Sequence, residues 1–148
     1  MRILFCLAGQ RLQEQWAKAA QLIDLRAHQV TILHVVDDSL VTVADALQRY
    51  GLPRSLGDER KADMQRARRG AAQHVLDRAL AIARESGVEA KGLLRTGRPA
   101  TAILEAAKEM GAEAIILGRQ HPGREGHILG GVSRFDVEQA PCTVVLHR

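Results

Sequence analysis

The chain has 148 residues, 46% hydrophobic and 26% charged, which is typical of a globular protein with one core. The net charge of +4 and the pI near 9.6 allow an acidic partner without requiring one. No apolar run approaches the length of a membrane span, and Met1 and Arg2 lead directly into a strand-like run without a cationic leader. We therefore expect a single cytoplasmic domain over residues 1–148.

Strand-like and helical patterns alternate from the start of the chain. Residues 2–8 are apolar after the first, as in a strand buried on both faces, and Gly9 ends the run. Residues 11–28 repeat apolar side chains at helical spacing. Residues 29–36 are apolar and β-branched and predict a second strand, in which His34 is expected to pack in the core with a local partner.

The next segment is the hardest to interpret. Asp37 and Asp38 follow the second strand, and we favour a solvated strand end over a metal site for this pair. A short helix is predicted over residues 41–50. Residues 60–86 predict a long helix that ends at Gly87. Its first half is basic, but interleaved acids and only four aromatics in the chain favour a solvated face over a nucleic-acid site.

The second half continues the alternation. Residues 88–95 predict an edge strand, and Pro99 is well placed to begin a helix that ends at Gly111. A strand over 114–117, a helix over about 132–139 and a strand over 142–147 complete the chain. This order predicts a three-layer α/β/α sandwich around a five-stranded parallel sheet of order 3-2-1-4-5, which is a Rossmann-like fold. In such a fold a crevice is expected at the carboxyl ends of strands 1 and 4.

A glycine-rich loop leaves the fourth strand at that crevice. Leu117 and Gly118 open it, and Ser133 begins the next helix as a predicted cap. Asp136, three residues on, is predicted as its reciprocal partner and as a favourable charge at the helix start. Backbone N–H groups and a helix dipole that converge in this way can bind phosphate. A solvent loop with glycines for its turns is the commoner alternative, but the position at the crevice favours a ligand site.

Four stretches in order resemble a known family. They are ILFCLAGQ at the start, TILHVVDD after the first helix, TGRPATAILEAAKEMGAEAIILG before the loop and GGVSRFDVEQAPCTVVL at the end. Together they resemble the universal stress protein (UspA) domain over its full length. The resemblance implies an adenine nucleotide alpha hydrolase-like fold and a small cytoplasmic protein, usually a dimer. Some members bind ATP through an Asp at the end of the first strand and a G-x2-G-x9-G-[ST] loop after the fourth.

The chain departs from this pattern. Ala8 stands at the Asp position and His121 at the second motif glycine. If Gly130 is taken as the final motif glycine, its distance from Gly118 is one residue short. If Gly131 is taken instead, the spacing is right but the hydroxyl position holds a valine.

The expected function is that of a non-catalytic stress-response domain with a residual anion or weak nucleotide site, and no catalytic or metal-binding residues are assigned. The alternative is a true ATP-binding member, at most a weak ATPase, that uses a re-registered loop with Gly123 and either Arg119 or Arg124. His121 is expected to be an exposed loop residue rather than a phosphate ligand. The candidate ligand-binding residues are Leu7, Ala8, Gly9, Val36, Leu117, Gly118, His121, Gly123, Gly130, Gly131, Val132 and Ser133.

Two expectations concern the last strand. Residues 142–147 are apolar at a sheet edge without an internal proline or lysine, so they are expected to pair with a second copy in a homodimer. A further protein partner is expected but is not identified by the sequence. Cys6 and Cys142 are expected to be small core residues, separated by the fourth strand and therefore too far apart for a disulfide.

Overall fold

The computed structural model describes residues 1–7, 11–37, 54–118, 134, 136 and 138–147. The elements are β1 (Arg2–Cys6), α1 (Leu12–Leu22), a short 3₁₀ helix (Leu25–Ala27), β2 (Gln29–Asp37), α2 (Arg54–Glu85), β3 (Lys91–Gly97), α3 (Pro99–Met110), β4 (Ala114–Gly118) and β5 (Thr143–His147). Residues 134, 136, 138 and 139 are also helical, inside the helix predicted over 132–139. The helix predicted over 41–50 and the cap Ser133 lie outside the described residues.

The five strands form one parallel sheet in the order β3-β2-β1-β4-β5, which confirms the predicted topology. β1 and β4 lie at its centre because they are the most continuously apolar strands: all five residues of β4 and the last four of β1 are buried. At the carboxyl end of β1, Cys6 lies between Leu33 of β2 and Leu117 of β4.

Helices cover both faces of the sheet, as the alternating pattern predicts. On one face, Phe5 and Ile116 pack with Trp16 of α1 and Leu76 of α2. On the other face, Cys6 and neighbouring sheet residues pack with the α3 residues Ile103, Ala106 and Ala107. Successive side chains of a strand point to opposite faces, so each central strand contributes to both cores.

Two helices end in the same backbone motif. At the end of α2, the N–H of Gly87 donates to the carbonyl of Arg84 and the N–H of Val88 donates to that of Ala83. The equivalent pair of bonds ends α3, where Gly111 has a φ of 60°. A left-handed residue closes the last turn in this motif, and glycine adopts that conformation without a Cβ penalty. Both predicted helix ends are therefore confirmed.

Three predicted boundaries were wrong. The helix predicted over 11–28 stops at Leu22, because Ile23 is extended and the Asp24 carboxylate accepts a hydrogen bond from the backbone N–H of Arg26, which starts the 3₁₀ helix. The long helix begins at Arg54 rather than residue 60. The third strand spans Lys91–Gly97 rather than 88–95, because Val88 is buried as part of the turn that ends α2.

Cys6 and Cys142 are both free thiols that contact the same core cluster, with β4 between β1 and β5 as predicted. Within the described ranges, no helix is both long and apolar enough to cross a membrane.

Candidate functional site

The carboxyl ends of β1, β2 and β4 form the edge of the sheet where the sequence predicts a ligand. Leu7 extends β1 by one hydrogen bond, from its N–H to the carbonyl of Leu33 at 2.9 Å. Gly118 is buried at the end of β4, directly opposite His147 of β5. β2 continues to Asp37, four residues beyond Leu33, where it pairs with β3. β2 therefore continues for four residues, or roughly 13 Å, beyond the residue that pairs with Cys6.

Four predicted ligand-binding residues lie at this edge. Leu7 and Val36 are half-buried, whereas Leu117 and Gly118 are buried in β4. Because β2, β1 and β4 are neighbours in the sheet, these four residues lie at the ends of adjacent strands. Ligand contact stays a prediction for all of them. The remaining candidates lie outside the described residues: Ala8, Gly9, His121, Gly123, Gly130, Gly131, Val132 and Ser133.

Asp136 is buried at this edge, and its predicted cap partner Ser133 lies outside the described residues, so the cap stays a prediction. Asp136 was predicted as a charge at a helix start, but its exposed fraction is 0% and both carboxylate oxygens have no hydrogen-bond partner within the described part of the chain. Burial raises its pKa from 3.8 to about 7. A carboxyl removed from water without a partner favours its neutral form, which explains the direction of that shift.

The group beside Asp136 is the thiol of Cys6, the last residue of β1. Burial raises the pKa of this thiol well above its usual value, and the nearby Asp136 charge raises it further. A thiol with a raised pKa stays protonated at neutral pH, so Cys6 is not an activated nucleophile. The pair therefore introduces a titratable acid into an otherwise apolar part of the core, at the carboxyl end of the central strand.

The opposite face of the same edge carries an aromatic cluster. The ring of His147 stacks on that of Phe5 with centroids 6.5 Å apart, and the Trp16 ring meets Phe5 edge to face at 5.3 Å. Neither ring nitrogen of His147 has a partner among the described residues, and the same is true of the Trp16 Nε1. Burial chiefly, and the Lys18 charge secondarily, lower the pKa of His147. No role for this histidine was predicted from the sequence.

His34 occupies the middle of β2, opposite Leu94 of β3. It is half-buried, and burial lowers its pKa, as expected for a packing histidine. The predicted local partner is not found for its Nδ1 atom within the described ranges. These ranges also contain no group of three or more His, Cys, Asp or Glu side chains that could hold a metal ion.

A polar cleft of about 530 Å³ lies at the opposite, amino-terminal edge of the sheet. Its charged groups already contact one another or a neighbour: Arg2 pairs with Glu113 at 3.7 Å and Arg26 with Asp24 at 3.3 Å. The guanidinium of Arg2 also lies against Gly111 at the end of α3, where a cation is favourable. These contacts indicate a structural role for the arginines, and we assign no ligand to the cleft.

Comparison with known proteins agrees with this architecture. A universal stress protein of Bacillus subtilis is 28% identical over 138 residues, which is 88% of this chain and 90% of the relative. The structure of the Archaeoglobus fulgidus universal stress protein in complex with dAMP superimposes with a TM-score of 0.63 at 20% identity, covering 100% of this chain and 98% of that one.

An Arabidopsis thaliana universal stress protein family protein with AMP bound gives a TM-score of 0.65 at 19% identity, covering 99% of this chain and 90% of that one. At these identities the structural matches show the fold. The sequence model of the universal stress protein family matches residues 1–148, so the chain belongs to that family.

Proposed function

We propose that this protein is a cytoplasmic, non-catalytic stress-response domain that binds an anion or, weakly, a nucleotide in the crevice at the carboxyl ends of β1 and β4. The observation that carries the proposal is the arrangement of this edge, where buried Leu117 and Gly118 end β4 and half-buried Leu7 follows β1, the strand between β4 and β2. Apolar side chains and a glycine at a topological switch point suit a base and a phosphate respectively. Related structures with dAMP and AMP bound support a nucleotide as the ligand by analogy.

The residues present fit an adenine nucleotide only in part. The half-buried Leu7 and Val36 provide apolar surface for a base. Ala8 lacks the carboxylate that the family pattern places at the end of the first strand. One lost hydrogen bond to a sugar or base costs about 1 kcal/mol, or about fivefold to tenfold in affinity. The charge that Asp136 can carry beside Cys6 also opposes a polyphosphate. We therefore propose weak ATP binding.

The first test examines the protein as purified, without added ligand. Mass spectrometry of the small molecules released on denaturation is expected to find less than one nucleotide per several chains. The variant Ala8→Asp restores the family carboxylate and is expected to tighten ATP binding about fivefold to tenfold. Stoichiometric nucleotide in the wild type, with no gain in the variant, would overturn the proposal of a weakened site.

A second candidate is a true ATP-binding member with a re-registered loop, favoured by the nucleotides bound in related structures. In that case Gly123 supplies the close backbone approach and Arg119 or Arg124 the charge. Replacing both arginines with glutamine would then weaken binding at least tenfold, because each charge-assisted bond contributes about 1.5–3 kcal/mol. In the weak-site proposal the double variant changes little.

Catalysis is not part of the proposed function. The Cys6 thiol is buried with a raised pKa, and the rings of His34 and His147 are held neutral by burial. Cys6 packs in the core on the α3 face, whereas His147 stacks on Phe5 on the other face, so these two side chains do not form a nucleophile and base pair. Incubation with Mg-ATP is expected to release phosphate no faster than a sample in which Ala8 and Cys6 are both replaced by valine.

A further inference from the structure

The one buried side chain of β5 is also a titratable one. β5 pairs with β4 alone among the described strands, and His147, its last residue, lies opposite Gly118. His147 is 6% exposed, whereas the other four side chains of the strand are half-buried or exposed. We propose that His147 is an acid-sensitive latch, and that protonation of its ring releases the carboxyl end of β5 while the rest of the sheet stays folded. The latch is independent of the ligand proposed for the crevice.

The surroundings of His147 suit a neutral ring and not a charged one. Its plane lies 14° from that of Phe5, with ring centroids 6.5 Å apart, and the buried Trp16 meets Phe5 edge to face. Neither ring nitrogen of His147 has a hydrogen-bond partner within the described ranges. A neutral imidazole fits this cluster as a flat ring, whereas a protonated one is a buried cation that has lost its water, which is costly unless the charge is paired.

The charged groups near His147 do not compensate its protonation. They come from α1, where Lys18 and Glu14 pair with each other at 2.7 Å. Burial lowers the pKa of His147 most, and the Lys18 charge lowers it by more than the Glu14 charge raises it. The residues that face the ring from β1 and β4 are Phe5 and Gly118, which carry no charge. A protonated ring therefore gains most by moving into water.

β5 can open at this end without unfolding the protein. It is a five-residue edge strand, and apart from His147 its side chains are half-buried or exposed. The central strands are held independently of it, because all five residues of β4 and the last four of β1 are buried. Edge elements with few buried contacts open at a lower free energy than the core of a protein. Release of His147 uncovers the aromatic surface of Phe5, beside the strand that is expected to pair with a second copy.

The sign of the pH dependence follows from the two forms of the strand. In the open form the His147 ring is in water and has an ordinary pKa of about 6.5, whereas in the closed form burial lowers that pKa. As pH falls from 6.5 towards the lowered pKa, protons bind the open form preferentially. The ratio of open to closed molecules then rises by up to about tenfold per pH unit. Below the lowered pKa both forms bind the proton, and the ratio levels off.

Amide hydrogen exchange, measured residue by residue by NMR on the full chain, tests the latch. Between pH 7 and pH 5.5 the protection factors of the hydrogen-bonded β5 amides are expected to fall severalfold in the wild type, whereas those of residues 3–6 in β1 stay unchanged. His147→Phe keeps an aromatic ring against Phe5 and should hold the protection of β5 constant. His74→Gln, at an exposed position on α2, is the matched control and should lose protection as the wild type does.

Trp16 gives a second readout, because it is the only tryptophan of the chain and belongs to the same cluster. Quenching of its fluorescence by acrylamide should increase over this pH range in the wild type but not in His147→Phe. Constant β5 protection in the wild type would overturn the inference, and so would an equal loss in His147→Phe or a simultaneous loss in β1. If His147→Phe does not fold, the wild type decides: the rise in β5 exchange must level off at the pH where the His147 ring titrates by NMR.

Discussion

Two buried titratable side chains, Asp136 and His147, are expected to make the stability of this protein depend on pH in opposite directions. Each lies at the carboxyl edge of the sheet, and each is buried without a hydrogen-bond partner in the described part of the chain. Burial disfavours the charged form of both, so it raises the pKa of the carboxyl and lowers that of the imidazole. Stability is therefore expected to be highest where both groups are neutral, on the acidic side of pH 7.

The contribution of Asp136 is lost as pH rises. Because its folded pKa is about 7 against an ordinary 3.8, the folded protein holds a proton that the unfolded chain releases above about pH 4. The free energy of unfolding should fall between pH 4 and pH 7, by about 4 kcal/mol for this group alone. Urea denaturation across this range should show the fall in the wild type and its loss in Asp136→Asn. A wild type and variant with parallel pH profiles would contradict this.

The contribution of His147 is lost as pH falls. Its folded pKa is lowered, so below about pH 6.5 the unfolded chain binds a proton that the folded protein does not. His147→Phe keeps an aromatic ring against Phe5 and cannot titrate, so its stability relative to the wild type should increase as pH falls from 7 to 5. Thermal denaturation of both proteins measures this. His74→Gln, at an exposed position on α2, is the matched control and should follow the wild type.

The sequence contained a partial signal for these residues. Asp136 lies four positions before Ala140, which packs on the core just ahead of the last strand, so helical spacing puts both on the inner face. The prediction for Asp136 rested on the cap pattern that begins at Ser133 and did not use that spacing. For His147, the alternation of β5 places it on the same face as Val145, which packs on Phe5's core cluster. Its partners come from β1 and α1, which are distant in sequence.

At the scale of the elements, two glycines provide opposite tests of how the helices are built. Gly70 lies within α2 in open space, so Gly70→Ala should stabilise the protein by about 0.5–1 kcal/mol. Gly111 ends α3 with a φ of 60°, and an added Cβ would meet the Arg2 guanidinium at 3.1 Å. Gly111→Ala should therefore destabilise by about 1 kcal/mol or more. Chemical denaturation of both variants checks the pair, and a change of the same sign in both would contradict the account.

Most elements were predictable because their signals are local. Periodic apolar residues, Pro99 at a helix start and glycines at two helix ends define α2 and α3 within the sequence itself. The third strand was displaced because Val88 is apolar and β-branched, whereas its burial comes from the turn that ends α2. In the first helix, continued helical spacing beyond Leu22 concealed the local turn at Asp24.

At the scale of the whole molecule, β5 is an edge strand, and we propose that it pairs with β5 of a second copy. Leu146 exposes 37% of its surface there, and this edge has no described strand beyond it. Light scattering at micromolar concentration is expected to give the mass of a dimer. Val145→Pro removes a backbone donor and should shift the population to monomer. Thr143→Ser preserves the strand and is the control. A monomeric wild type would contradict the proposal.

The strand order, and with it the location of the crevice, followed from the sequence because alternating strands and helices leave few topologies. The ligand-binding groups of the crevice could be predicted from the sequence only in part. Leu7, Leu117 and Gly118 reach the predicted edge because they are the ends of predicted strands. The acid beside Cys6 was missed because it depends on how a helix near the end of the chain packs on the first strand.

We propose that the crevice holds an anion site and binds nucleotides only weakly. Calorimetry with Mg-ATP at pH 7 tests it most directly. The lost carboxylate at Ala8, the side chain at His121 and the partial charge of Asp136 together predict a dissociation constant in roughly the millimolar range. Sulfate should bind the same crevice and compete with ATP. A dissociation constant for Mg-ATP at or below about 10 μM would contradict the account.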